Sequence, residues 1–266
     1  MTKQQEKLMK KTGRIMLLVV LAVMLLATAV TLLHTLRSNG SASLRPNPYG
    51  PEDFAVRNGY MTCLAGESWL GVDVSRHQGD IRWEEVADSG VRFAMIRLGH
   101  RTVSDGRLYR DDRWKENFAG AREAGLQLGV YFYSQAISVE EAREEAAFVL
   151  DALKGRKLEF PVVFDWEVYS ESGRNVDISP ETANACAMAF CEEIARAGYR
   201  PMIYFNLDLA NRFWDLQALQ RQGYSFWLAM YRSTMDWPYE TQMWQYTETG
   251  RVDGIDTFVD LNLYFP

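Results

Sequence analysis

The sequence predicts an α/β protein, a modified TIM-like barrel in which five βα units are followed by three strands with few helices. Two observations carry that expectation. From Trp69 onward, apolar runs of strand length alternate with segments of helical spacing, the rhythm of a parallel sheet covered by helices. After Gly223 the rhythm changes, and the last strand-like runs are separated by gaps too short for full helices while still bringing the strand total to the eight of a closed barrel. No phosphate loop or dinucleotide fingerprint follows any strand, which argues against nucleotide-dependent chemistry.

Taken in order, Trp69 to Ser75 reads as the first strand and Arg82 to Ser89 as its helix. Phe93 to Leu98 is the second apolar strand. Trp114 to Ala124 has helical spacing and stops at Gly125, after which Leu128 to Ser134 is the third strand. Glu140 to Leu153 is a helix with Ser138 as its N-cap and Gly155 beyond its end. The fourth strand, from Phe160 to Glu167, is followed by a helix from Pro180 to Ala197 that Gly198 terminates. Pro201 to Phe205 and Leu209 to Arg221 form the fifth unit. Phe226 to Tyr231, Gln242 to Tyr246 and Thr257 to Leu263 complete the set, all expected to run parallel.

Upstream of the barrel, residues 1–14 are polar and carry Lys3, Lys7, Lys10, Lys11 and Arg14. Ile15 to Leu33 is apolar and uncharged, long enough at about 1.5 Å per residue to cross a hydrocarbon core of about 30 Å. Residues 15–36 are therefore expected to be a transmembrane signal anchor, with residues 1–14 as a cytoplasmic tail and the bulk of the chain outside. A secretory signal cleaved at Ala27-Thr28-Ala29 is the competing reading; the apolar run continues past it, which favours the anchor. Residues 37–68, with Pro46-Asn47-Pro48 and no sustained periodicity, read as a linker or stalk, leaving 69–266 as the folded domain.

Composition excludes several classes. A net charge of −6 argues against nucleic acid as a partner. Cys63, Cys186 and Cys191 give no disulfide framework, and with His34, His77 and His100 as the only histidines there is no metal-ligand spacing, so neither metal nor cofactor is expected. The 8 Trp and 13 Tyr suit sugar-stacking surfaces and a well-filled core equally.

The chemistry concentrates in Phe160-Pro-Val-Val-Phe-Asp-Trp-Glu167, an apolar strand that ends in carboxylates. Alternation puts Asp165 and Glu167 on one side, with Cα atoms about 6.6 to 6.8 Å apart. Like charges held so close push their pKa values apart, which lets one group stay ionised while the other keeps a proton. Asp73 and Asp260 sit at the ends of the first and last strands, so all four acids should converge on the cleft at the C-terminal face of the barrel.

From Trp69 to Pro266 the chain resembles glycoside hydrolase family 25, the Chalaropsis-type lysozymes or muramidases. The resemblance rests on Gly71-Val-Asp-Val-Ser-Arg-His-Gln-Gly79, Phe93-Ala-Met-Ile-Arg97, Gly129-Val-Tyr-Phe-Tyr133, Glu144-Glu-Ala-Ala-Phe148, Pro161 to Glu167, Gly198 to Tyr204, Trp227-Leu-Ala-Met-Tyr231, Trp244-Gln-Tyr246 and Val259-Asp-Leu-Asn262. Phe132 departs from the pattern, since relatives often carry His there, and no hydrogen-bonding role is expected of it.

The resemblance implies hydrolysis of the β-1,4 bond between N-acetylmuramic acid and N-acetylglucosamine in peptidoglycan glycan strands by a monomeric catalytic domain. A non-catalytic wall-binding or structural component of an envelope assembly is the other reading, and the retention of all four acids favours the enzyme. Glu167 is the expected general acid, with Asp165 stabilising charge beside it and Asp73 and Asp260 lining the cleft. Between a carboxylate nucleophile and the substrate's own 2-acetamido oxygen, the acid pair favours the second. Gln78, Arg97, Tyr131, Tyr133, Tyr204, Trp227, Trp244 and Tyr246 are the candidate substrate contacts.

Overall fold

The computed structural model describes residues 43–169 and 173–266; the expected cytoplasmic tail and signal anchor lie outside the described residues. Eight strands close the barrel: β3 (Trp69–Val74), β4 (Phe93–Arg101), β6 (Gln127–Ser134), β7 (Val162–Trp166), β8 (Pro201–Asn206), β9 (Ser225–Ala229), β10 (Met243–Gly250) and β11 (Val259–Tyr264). Around the ring the order is β3-β11-β10-β9-β8-β7-β6-β4, and β4 pairs back to β3. A short β5 (Leu108–Arg110) lies antiparallel on the far end of β4. The covering helices are α1 (Trp83–Asp88), α2 (Trp114–Glu123), α3 (Val139–Leu153), α4 (Pro180–Arg196), α5 (Leu207–Arg212) and α6 (Leu216–Arg221).

Alternation along each strand builds two separate apolar layers. Phe93, Met95, Phe160, Val163, Met202, Trp227 and Met243 fill the barrel interior, while Val72, Phe132, Phe164 and Trp166 face the helices. Gly71 belongs to the inner set by its register, and a Cβ there would stand 2.2 Å from the Phe93 ring. Its lack of a side chain admits that ring, and two residues on, Asp73 rises on the same side above the filled interior. Phe132 packs its ring 5.9 Å from Phe148 in the outer layer, away from the cleft.

The structure differs from the expected architecture at three places. First, β11 is antiparallel to both β10 and β3, so the barrel is not wholly parallel. Only residues 251–258 separate β10 from β11, and a parallel return needs a crossover of a dozen or more. Second, the helix expected from Leu209 to Arg221 is two short helices. Asn206 Oδ1 accepts from the Leu209 amide at 2.9 Å and Asp215 Oδ1 from the Ala218 amide at 2.8 Å, capping each. Between them Phe213 and Trp214 turn inward onto Trp166, with ring centroids 5.1 and 5.5 Å away.

Third, residues 44–68 are not a linker. They contain the hairpin β1 (Phe54–Arg57) and β2 (Tyr60–Cys63), joined at Asn58 and Gly59 with φ of 52° and 87°. An Asn-Gly pair with positive φ at both residues is the preferred two-residue hairpin turn. Where the last third of the barrel has lost its helices, Trp244 and Tyr246 face outward, and this hairpin covers them. The Phe54 ring meets Trp244 at 5.2 Å, and the Met61 amide donates to the Tyr246 hydroxyl at 3.4 Å.

Candidate active site

β7 delivers Val163 and Asp165 inward and Val162, Phe164 and Trp166 outward, so Glu167, one residue past the strand, continues the inward series. β3 places Asp73 in register with Asp260 on the adjacent β11. Because β11 is antiparallel, its N-terminal end lies at the face where the parallel strands end, and Asp260 joins the cleft from there. The structure thus brings together Asp73, Asp165, Glu167 and Asp260, in two hydrogen-bonded pairs.

The two pairs are built differently. Asp73 Oδ2 accepts from Gln245 Nε2 at 2.9 Å and from Asn262 Nδ2 at 2.7 Å. Gln245 is oriented by the hydroxyls of Tyr204 and Tyr231, which donate to its Oε1 at 3.1 and 3.0 Å. Asn262 is held by Trp227 Nε1, 2.8 Å from its Oδ1. Burial raises the Asp73 pKa, while hydrogen bonds from Asn262, Gln245 and Asp260 pull it back. Asp260 receives no such support: burial and the neighbouring Asp73 charge push it up to about 10, so Asp260 carries the proton of this pair at neutral pH.

At the other pair, burial first, then the charges of Glu167 and Asp73, hold Asp165 well above the usual carboxylate range. Its Oδ1 is buried with no hydrogen-bond partner among the described residues. Glu167 is raised to about 7, again chiefly by burial. Both shifts run upward. A donor arriving at Oδ1 would favour the carboxylate of Asp165 and leave the proton of the pair with Glu167.

The sign of the Glu167 shift sets a pH dependence. Its acid form persists below about pH 7 and is lost above it, so kcat/KM for glycan cleavage should fall as pH rises through about 7. A rate unchanged up to pH 9 would contradict this placement of the proton.

The expected substrate contacts divide. Tyr131 and Tyr133 lie on the inner face of β6, Tyr133 in register with Asp165. Arg97, also inward, is bound by Asp111, with Nε and Nη2 at 2.8 and 2.7 Å from one carboxylate oxygen. Tyr204 lies near the acids and orients Gln245. Trp227 is 2% exposed, part of the barrel filling rather than a platform. Trp244 and Tyr246 are on the outer wall under the hairpin, away from the cleft. Gln78 caps its own turn, accepting from the Ser75 amide at 2.8 Å, and donates to the Phe258 carbonyl at 3.3 Å. Beside Glu167 a cavity of about 370 Å³, edged by Val176, Asn206 and Arg212, opens to solvent.

Gln245, Asn262, Tyr231 and Asp111 were not among the expected site residues. Alternation points to two of them: if Trp244 and Tyr246 face out, Gln245 faces in, and Asn262 shares the side of Asp260.

Paired carboxyls at the mouth of an α/β barrel, one able to donate a proton and one able to hold developing positive charge, suit cleavage of a glycosidic bond. Glycosidase is the class to which the fold and the site lead. The family model for glycosyl hydrolases family 25 matches residues 72–255, and the chain belongs to that family. It is 30% identical over 212 residues to the YegX protein of Escherichia coli, covering 73% of this chain and 68% of that one. An autolytic lysozyme of Clostridium acetobutylicum is 25% identical over 195 residues, 72% of this chain and 54% of the relative. The solved bacterial lysozyme of Streptomyces coelicolor superposes with a TM-score of 0.60 at 26% identity, covering 74% of this chain and 92% of that chain.

Proposed function

We propose that the protein is a peptidoglycan hydrolase, a muramidase that cleaves the β-1,4 bond between N-acetylmuramic acid and N-acetylglucosamine. The observation that carries this reading is the Asp165–Glu167 pair, Asp165 buried and Glu167 partly so, joined by a hydrogen bond and backed by the Asp73–Asp260 pair, in a family 25 chain. The 2-acetamido N–H of the sugar donates to Asp165, whose carboxylate form that bond favours. Glu167, now the proton holder, protonates the leaving oxygen while the acetamido oxygen attacks the anomeric carbon. The resulting oxazolinium ring is opened by a water that Glu167 deprotonates, and configuration is retained. Asp73 and the Arg97 guanidinium set opposing potentials around the reacting centre. Incubating the full-length chain with purified peptidoglycan should release fragments whose new reducing ends are N-acetylmuramic acid. New reducing ends on N-acetylglucosamine, or none, would refute the reading.

The uncharged run Ile15 to Leu33 behind five basic residues supports a membrane-anchored, extracytoplasmic placement of the barrel. Among the described residues no helix is long and apolar enough to cross a membrane. Protease added to intact protoplasts should digest the barrel. Its survival, or a mature N-terminus mapped near Val30, would sink the anchored reading.

A further inference from the structure

Glu167 lies one residue beyond the last paired residue of β7, so no neighbouring strand holds its peptide group. Its carbonyl instead accepts two hydrogen bonds, from Gln135 Nε2 and from Asn175 Nδ2, both at 2.8 Å. Gln135 directly follows β6, and Asn175 lies in the connection from β7 to α4. Both residues are fully buried, and neither amide oxygen has a partner among the described residues. Each amide is thus fixed by what its nitrogen donates to.

We infer that Gln135 and Asn175 are positioning residues for Glu167, clamping its carbonyl so that its carboxyl is held at the reacting bond. This rests on the reading of Glu167 as the proton donor. β7 fixes the amide side of Glu167 and the two amides fix the carbonyl side; with both flanking peptides held, the Cα–Cβ bond has one direction. The clamp is itself braced. Arg174 Nη1 donates to the Gln135 carbonyl at 2.9 Å, and both its terminal nitrogens grip Glu141 at 2.8 and 2.7 Å. Trp166 Nε1 donates to the Ala136 carbonyl at 2.9 Å, tying β7 to the same turn. Reorientation of an acid by even about 1 Å costs on the order of 10²-fold in rate, so a residue with no substrate contact can act on the chemistry through this carbonyl.

The test uses the full-length chain with Gln135→Met, which keeps side-chain length without the donors, and Asn175→Ser, which lies in a connection rather than in a barrel layer. Each should lower kcat on purified peptidoglycan about 10- to 100-fold, with KM within about threefold, and should displace the alkaline limb of the kcat/KM profile. On a Glu167→Gln background neither should lower the residual rate further, because both act through Glu167. Folded variants with parental kcat and pH profile, or equal losses on the Glu167→Gln background, would overturn the inference; if Gln135→Met does not fold, Asn175→Ser decides alone. Parental activity in Glu167→Gln itself would instead defeat the assignment of the acid. An inactive Glu167→Gln beside unaffected Gln135→Met and Asn175→Ser would defeat only the clamp.

Discussion

Glu167→Gln is expected to lower kcat for peptidoglycan cleavage by about 10²- to 10⁴-fold, the range that a positioned general acid supplies, and to leave the barrel folded. The amide has nearly the shape of the carboxyl and still meets Asp165, but it has no proton to transfer. Folding should not suffer either, because the carboxyl it replaces is one that burial disfavours in its charged form. By linkage, a carboxyl raised from 4.5 to about 7 contributes stability that is present in acid and is lost as pH rises through about 7. The variant removes that dependence, so its melting temperature at pH 8 should be no lower than the parent's. A folded Glu167→Gln protein that degrades cell walls at the parental rate would show that another group donates the proton.

Asp165→Asn should cost about 10² to 10³ in kcat, the scale of one lost preorganised electrostatic contact. Its physical origin differs from that of Glu167. Asp165 is a buried acid of the cluster, and within the cluster its Oδ1 is the buried carboxylate oxygen without a hydrogen-bond partner among the described residues. When the acetamido oxygen attacks, positive charge grows on the forming ring, and the ionised Asp165 offsets it. Asparagine keeps the size and one acceptor and loses that charge. KM should change by only a few fold, because the charge is greatest in the transition state. A thiazoline analogue of the N-acetyl sugar should inhibit. A sugar ester trapped on Asp165, Glu167 or Asp73 by a fluorinated substrate, seen in the intact-protein mass, would replace the acetamido group by a carboxylate nucleophile.

The strand that carries Asp165 and leads into Glu167 was readable in the sequence because a doubly buried strand has no alternating polar face to obscure it. The helices from Val139 to Leu153 and from Pro180 to Arg196 were readable as well, since Ser138 caps the first and Gly198, with φ of 87°, ends the second as their positions imply. Aromatic residues misled. Trp244 and Tyr246 look like sugar platforms in Trp244-Gln-Tyr246, yet the intervening Gln245 is the inward residue. Nothing in local periodicity says which face of β10 looks into the barrel; that depends on the hairpin from Phe54 to Cys63, which covers the other face and whose Asn58-Gly59 turn was the overlooked signal. The direction of β11 was hidden for a related reason: an eight-strand count is indifferent to whether the last strand runs up or down. The buried pair of Arg101 and Glu145, 2.7 Å apart, joins residues far apart in sequence, and no spacing rule announces it.

The most direct test of the mechanism is a crystal structure of the full-length Glu167→Gln protein with an uncleaved muropeptide fragment. The acetamido N–H of the sugar on the glycone side should lie within hydrogen-bonding distance of Asp165 Oδ1, with the acetamido oxygen below the anomeric carbon and the glycosidic oxygen within reach of residue 167. An acetamido group turned away from Asp165, with a carboxylate of Asp73 or Asp165 below the anomeric carbon in its place, would contradict the account.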